Sequence, residues 1–331
     1  MKTLISLLVF ATLFLSGYSQ DTFSIVAVDS VTGEIGSAGA SCIDDNAISG
    51  GAIIISDIIP GRGAIHTQAY WRPANQQNAH NLMEEGFSPI EIIDWLIESD
   101  DQGNPTIRQY GIVDFDEEGS PRAAAFTGSN CTSWAGDTAG VYYAIQGNIL
   151  LGEEIIDSML SRFLNTEGIL AEKLMASLQG ANVPGADTRC AGEGVSSLSA
   201  FIRVAQTADT LGEFYLDLNV PETPYGVEPI DSLQVLFDEW LLYLNTGENK
   251  SYQGNFNIYP NPSSGKLVVE SSIDIRDLEC SLFNSSGKMV REIQLAGRKT
   301  NINTGSLPKG IYFIKISNTR GTIYREKIII N

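Results

Sequence analysis

The stretch Thr22–Asp29, TFSIVAVD, decides how the chain folds. It is rich in β-branched residues and almost wholly apolar, which is what a strand covered on both faces requires. A turn at Val31-Thr32-Gly33-Glu34 follows, and Ile35–Ser41 (IGSAGAS) returns as a second strand of very small side chains. Small residues there let another layer, or a substrate backbone, approach closely. Ala52–Ile59 and Gly63–Tyr70 read as a further strand pair hinged at Pro60-Gly61.

Farther along, Ser88-Pro89-Ile90-Glu91 has the form of a capping box with proline at the first helical position. Ile92, Ile93, Leu96 and Ile97 then give that helix an apolar face. Arg108–Phe115 and Ala123–Thr127 read as strands around the acidic turn Asp116–Gly119. Val141–Asn148 is another strand, running into a helix with Ile155, Ile156, Met159 and Phe163 on one side. The same side of that helix also holds Leu160 and Leu164, and a second helix carries Leu170, Leu174 and Leu178. Leu198–Ala205 and Phe214–Val220 are late strands, and a last helix covers roughly Ile230–Leu244. Strands and helices come in runs rather than in strict alternation. That order predicts an α+β domain of antiparallel sheets stacked between helical layers.

The two ends differ from this middle. Met1-Lys2-Thr3, an apolar run from Leu4 to Leu15 and the small residues of Gly17-Tyr18-Ser19 make a signal peptide cleaved after Ser19. The run is short for a membrane anchor, and no other stretch approaches spanning length, so no membrane span is expected after cleavage. Asn245–Gly254 is polar and reads as a linker. From Asn255 the pattern changes to short strands and turns without helix, a small β-sandwich. Ser285-Ser286-Gly287-Lys288 is a hairpin turn there, and Cys280, alternating inward with Leu278 and Leu282, is a core residue. The expected divisions are a signal peptide (1–19), a main domain (20–244), a linker (245–254) and a C-terminal module (255–331).

Residues 1–250 hold 10 Lys+Arg against 34 Asp+Glu, whereas residues 251–331 hold 11 against 6, within a net charge of −19. An acidic main domain argues against nucleic acid or anionic lipid as partner, since both need clustered Lys and Arg. Its acid excess serves solubility. Of the four cysteines, three lie in the main domain, and Cys42–Cys190 is the bridge expected outside the cytosol. With no CxxC and only two histidines, His66 and His80, a Cys/His metal centre is not expected, and no cofactor is expected. Asp44-Asp45 could attract calcium, although adjacent acids in a loop are ordinarily just solvated.

The sequence holds no GxSxG elbow, HExxH, P-loop or GxGxxG. With so few histidines, an enzyme here needs a base other than imidazole. An N-terminal Thr supplies one, because its own α-amine titrates near neutral pH and can activate its hydroxyl. Thr22 opens the first strand and is the candidate nucleophile. Asn148, after Gly147 at a strand end, could donate to an oxyanion or cap the following helix. Gln68 could orient substrate or stitch loops together. Asp187 and Arg189 could pair near the pocket or serve only as a structural ion pair. Ser24 is a reserve hydroxyl facing the same way as Thr22, and His66 reads as a satisfied structural histidine.

The segments Thr22–Ala27, Thr67-Gln68-Ala69-Tyr70, Arg108-Gln109, Thr127-Gly128, Trp134, Gln146-Gly147-Asn148 and Asp187-Thr188-Arg189 resemble domain-of-unknown-function family 1028. The resemblance spans about Thr22 to Leu244. It implies the four-layer αββα sandwich of N-terminal-nucleophile hydrolases and an amidohydrolase acting on peptide or peptidoglycan-like cell-wall amides. In cytosolic relatives the chain begins Met-Thr; here cleavage after Ser19 leaves Gln20-Asp21 ahead of Thr22, so a second cut at Asp21–Thr22 is needed to free the amine. The alternative is a non-catalytic surface binding protein on the same fold.

The C-terminal module carries its own resemblance. Phe256-Asn257-Ile258-Tyr259-Pro260-Asn261-Pro262 with Gly265, Leu282-Phe283-Asn284, Leu307-Pro308-Lys309-Gly310-Ile311-Tyr312-Phe313 and the basic Arg325-Glu326-Lys327 resemble the type A C-terminal sorting domain of the type IX secretion system. This implies a Bacteroidota-type export route through periplasm and outer membrane, with the type IX machinery as partner and a secreted or cell-surface destination.

Overall fold

A computed structural model describes residues 22–245, 256–284, 289–318 and 321–331. The signal peptide, the linker beyond Asn245 and the turn at Ser285–Lys288 lie outside the described residues. The chain divides into two compact units, Met1–Leu236 and Phe237–Asn331.

The apolar stretch that opens the main domain is strand β1 (Thr22–Val28), buried at every position, and the small-residue stretch is β2 (Ile35–Ser41), equally buried. The residues after it depart from expectation. Gly51–Ile55 is a 3-10 turn, and strand β3 covers only Ser56–Ile59. Gly50 and Gly51 hold φ of 87° and 64°, a left-handed entry that a strand does not have. The turn then seats Ala52 and Ile55 on Phe201, so packing overrides the β propensity of three consecutive isoleucines. Strand β4 is Gly63–Gln68. A helix the sequence did not announce, α1 (Pro73–Glu84), comes next, and α2 (Pro89–Glu98) has the Ser88/Glu91 capping box. Then follow β5 (Gln109–Phe115), β6 (Pro121–Thr127), a short unexpected β7 (Gly136–Ala139) and β8 (Tyr143–Gly147). Helices α3 (Glu153–Asn165) and α4 (Leu170–Gly180), strands β9 (Ser199–Ala205) and β10 (Leu216–Val220) and helix α5 (Pro229–Asn245) finish the series.

Two antiparallel sheets result. One has the order β10-β9-β2-β1-β8-β7, and the other β3-β4-β5-β6. Strand alternation assigns each face. In β4, Ile65 joins Met83, Ile92 and Leu96 under α1 and α2, while Ala64 joins Val26, Ile35, Val113 and Ala144 between the sheets. On the far side of the six-stranded sheet α4 lies against β1, β2 and β9, and α3 against β8. A Cβ on Gly36 would overlap Leu174 of α4, which is why β2 needs so small a residue there.

The space between the sheets is divided. Its far half is apolar, around Val26, Val28, Ile35, Ile58, Ala64 and Val113. The half beside the start of β1 is polar: Ser24, Ser37, His66, Gln68, Gln109, Gln146 and Asn148 are all buried there.

From Phe256 onward the described chain is all β: β11 (Phe256–Tyr259), β12 (Lys266–Asn284), β13 (Met289–Asn303), β14 (Gly310–Asn318) and β15 (Gly321–Ile330). The sheet order is β11-β12-β14-β15, with β13 on β12. Leu267, Val269, Cys280, Leu282, Ile314 and Ile328 share its core. Burial pushes the Cys280 thiol up to about 12, so it is inert packing, as its alternation predicted. Among the described residues no helix is long and apolar enough to cross a membrane.

Candidate functional site

Thr22 heads the central strand of the larger sheet, paired with Ser41 on β2, while its neighbour Phe23 pairs with Gly147 on β8. It is 1% exposed. Its carbonyl accepts two N–H groups, Gln68 Nε2 at 3.0 Å and the backbone N–H of Asn148 at 3.2 Å. Its own hydroxyl has no hydrogen-bond partner among the described residues, nor does Asn148 Oδ1. A buried polar atom left unpaired costs about 1–3 kcal/mol; Ser177 and Asn219, away from this site, carry such atoms too, but here two belong to residues joined by a backbone hydrogen bond.

The clamp on Thr22 is held by a carboxamide whose orientation is fixed. The two hydrogens of Gln109 Nε2 are shared among three acceptors, the carbonyls of Gly147 (2.9 Å) and Gly136 (3.1 Å) and Thr127 Oγ1 (2.8 Å). Its Oε1 therefore accepts, from Gln68 Nε2 at 2.7 Å and Asn148 Nδ2 at 3.0 Å. Asn148 thus spends an N–H on Gln109 and leaves its carbonyl oxygen uncommitted. It does not cap the following helix with its side chain, since α3 begins at Glu153 with no side-chain cap.

Backbone strain surrounds the same two clamps. Among the described residues the non-glycine positions with left-handed φ are Ala69 (54°), Tyr70 (57°) and Ile149 (54°). The first pair directly follows Gln68 and the last directly follows Asn148. Such conformations cost about 1–3 kcal/mol each and persist where surrounding contacts over-determine them. Those contacts are present. The Arg108 guanidinium, 1% exposed, donates to the carbonyl of Tyr70 and to Asp100 at 2.7 Å. Burial pushes the Asp100 carboxyl up, but the Arg108 guanidinium, the Asn104 and Gln102 backbone N–H groups and Asn75 outweigh it and hold it well below its ordinary range. Ile149 is held by Thr188, whose N–H and hydroxyl both donate to its carbonyl.

Asp187 and Arg189 meet at 2.7 Å, and Asp187 Oδ2 also takes the backbone N–H of Cys42 at 3.0 Å. The bridge expected between Cys42 and Cys190 is present and ties β2's exit to this loop. The pair therefore braces the rim of the site, next to Ser41 and thus to Thr22. Ser24 lies one inward position below Thr22 with its hydroxyl bonded to Gln68 Oε1 at 2.6 Å, so it is part of the scaffold. Burial, aided by the positive charge of Arg203, lowers His66 to about 3 and keeps its ring neutral. Asp44 and Asp45 cap the backbone N–H groups of Ala47 and Gly50, and among the described residues no group of three or more His, Cys, Asp or Glu is placed to hold a metal ion. Ser37 and Ser56, which no pattern in the chain singles out, join the buried network. Gln109 and Gln146 had a legible signal: a carboxamide at an inward position of an otherwise apolar strand.

Residues 22–232 match the model of a family described as a family of unknown function (DUF1028). The chain belongs to the DUF1028 family. Residues 257–331 match the secretion system C-terminal sorting domain. A DUF1028 domain carrying a type IX sorting tail is an exported protein, recognised by that secretion machinery and destined for the cell surface or the exterior. The crystal structure of a DUF1028 protein from Silicibacter pomeroyi superimposes with a TM-score of 0.52 at 21% identity, covering 66% of this chain and 88% of that one, a likeness of fold. A two-domain fragment of rat CD4 aligns at 10% identity over 67% of this chain and 76% of that one, with a TM-score of 0.19, too low to bear on the fold. No curated protein matches.

Proposed function

We propose that this DUF1028 protein is an exported amidohydrolase acting on peptide or cell-wall amide bonds, with Thr22 as an N-terminal nucleophile on an αββα sandwich. The observation that carries it is the strained clamp: Ala69, Tyr70 and Ile149 hold left-handed backbone on either side of the two groups that grip the Thr22 carbonyl, while the Thr22 hydroxyl is left unpaired. The order of layers, helices on a sheet, sheet on sheet, sheet on helices, agrees with that fold class.

In the reaction the Thr22 α-amine takes the hydroxyl proton as Oγ1 attacks the substrate carbonyl carbon. Backbone N–H groups, with the remaining hydrogen of Asn148 Nδ2, hold the oxyanion. The ammonium returns its proton to the departing amine as the C–N bond breaks. Water then cleaves the acyl ester and regenerates the hydroxyl. All of this requires the bond between Asp21 and Thr22 to be cut, because an amide nitrogen is no base.

Sequencing the N-terminus of exported protein, and assaying it and Thr22→Ala on peptides and peptidoglycan fragments, tests the proposal. Thr22 as first residue, with hydrolysis lost in Thr22→Ala, is the expected result. Full hydrolysis by protein that still begins at Gln20 overturns it. The burial of Thr22 favours the second function, a non-catalytic binding protein, for which Thr22→Ala leaves no hydrolysis to lose.

A further inference from the structure

The buried network beside Thr22 contains a serine and a histidine in contact, Ser24 Oγ and His66 Nδ1 at 2.9 Å. On its face this is a nucleophile–base pair. Following the hydrogens shows otherwise.

Gln68 Nε2 faces the Thr22 carbonyl and Gln109 Oε1, both acceptors, so its Oε1 must point at Ser24. Ser24 then donates its one proton to Gln68 at 2.6 Å. Its lone pairs receive Gln146 Nε2 at 2.7 Å and whatever His66 presents. Were His66 Nδ1 unprotonated, its lone pair would meet that of Ser24 at 2.9 Å, and the one donor near it would be Gln146 Nε2, longer at 3.3 Å and already donating to Ser24 at 2.7 Å; with a proton on Nδ1 the shorter contact is a hydrogen bond. The opposite ring nitrogen must then accept, and Ser37 Oγ lies 2.6 Å from it, with Ser56 Oγ a further 2.7 Å away to supply Ser37 in turn. Gln146 can reach Ser24 because Gly111 of β5 has no side chain; a Cβ there would overlap the Gln146 amide.

We infer that His66 is locked as the neutral Nδ1–H tautomer and is a positioning residue for Thr22, closing a chain of hydrogen bonds that runs with one polarity from Ser56 through Ser37, His66, Ser24 and Gln68 to the Thr22 carbonyl. His66 and Gln146 fill the acceptor sites of Ser24, which forces the Ser24 proton onto Gln68 Oε1 and keeps the Gln68 amide turned toward Thr22. Ser24 is accordingly no nucleophile, and His66 is no base for it. The Phe201 and His66 rings pack edge to face with centroids 5.9 Å apart, and Arg203 is the charged group acting on the histidine. The tautomer follows from hydrogen-bond geometry alone. The positioning role rests on Thr22 being the working residue proposed above.

The chain has two histidines, which makes the test simple. Full-length protein labelled with nitrogen-15 in histidine is followed by NMR from pH 5 to 8, with His66→Gln identifying which signals belong to His66. A proton on Nδ1, a bare Nε2 and no titration across that range are expected. A proton on Nε2, or a midpoint near 6.5, overturns the inference. For the positioning role, the Thr22 carbonyl is labelled with carbon-13. His66→Phe and Ser24→Ala, each in protein shown to be folded, are expected to move the Thr22 signal by a similar amount, and Ser37→Ala, which leaves the Nδ1 proton in place, to move it by less than half as much. An unmoved Thr22 signal in folded His66→Phe overturns the role. Neither readout needs a substrate, so absence of hydrolase activity would sink the proposed function and leave the tautomer standing.

Discussion

The backbone N–H of Asn148 and the side chain of Gln68 converge on one atom, the carbonyl oxygen of Thr22, from opposite sheets of the main domain. Asn148 extends the central sheet past the end of β8, and Gln68 is the last residue of β4. The head of β1 is therefore fixed from two sides by groups whose own backbones turn left-handed immediately afterwards.

That strain makes Ala69 a test position. Ala69→Gly relieves the cost of φ 54° without removing a hydrogen bond. It is expected to raise stability by about 1 kcal/mol at most, because the added entropy of the unfolded chain offsets part of the relief. Urea denaturation with an unchanged m-value and a higher midpoint is the result to look for; a lowered midpoint would show that the turn is not strained.

Arg108 and Asp100 form a buried ion pair that also carries the Tyr70 carbonyl. Arg108→Ala leaves the Asp100 carboxylate buried without its partner and is expected to cost about 3–5 kcal/mol. Replacing both, as in Arg108→Met with Asp100→Asn, should restore part of that. Equal losses in the single and double variants, measured by denaturant titration, would contradict the pairing.

His66 sets an acid limit. Its folded value near 3 lies below the ordinary 6.5, so the unfolded chain binds the proton first. The stability that comes from keeping the ring neutral is complete above pH 6.5 and is lost as pH falls from 6.5 toward 3, by about 1.4 kcal/mol per pH unit. The depressed Asp100 carboxyl contributes in the same direction only below the ordinary aspartate range, so pH 6.5 to 5 isolates the histidine. Folded His66→Gln protein is expected to show a flatter stability curve over that interval.

The Cys42–Cys190 bridge spans 148 residues of sequence. Closing so long a loop restricts the unfolded chain by about 4–5 kcal/mol in the chain-entropy treatment. Cys42→Ser with Cys190→Ser is expected to lower the denaturation midpoint by a corresponding amount, and reductant should lower the parent but not the double variant.

Gly111 has a packing reason to be glycine. Gly111→Ala presses a methyl group onto the Gln146 amide and is expected to destabilise by about 1–3 kcal/mol, with Gln146→Ala relieving most of the clash in the double variant. A neutral Gly111→Ala would show that Gln146 is not held where the network needs it.

Much of the fold is legible in the chain alone, because many of its signals are local. The apolar TFSIVAV run, the small residues of β2, the Ser88 capping box and the inward alternation around Cys280 each follow from neighbours a few residues away. Helix α1 escaped because PANQQNAHNLME buries only Asn75, Ala79 and Met83, too narrow an apolar stripe to register as periodicity. Strand β7 escaped because four residues carry no pattern, and the long β12–β13 ladder because its twist and register shifts are set by pairing, not by composition. The site was half legible. Thr22, Gln68, Asn148, Asp187 and Arg189 could be named from their types and places. Which atoms of Gln68 and Asn148 donate and which accept could not, since their orientations are fixed by groups brought from other strands. Only the pairing and stacking of the strands decides that, because these hydrogen bonds join groups that lie far apart in sequence, Ser24 with Gln68, Gln68 with Thr22 and Gln146 with Ser24.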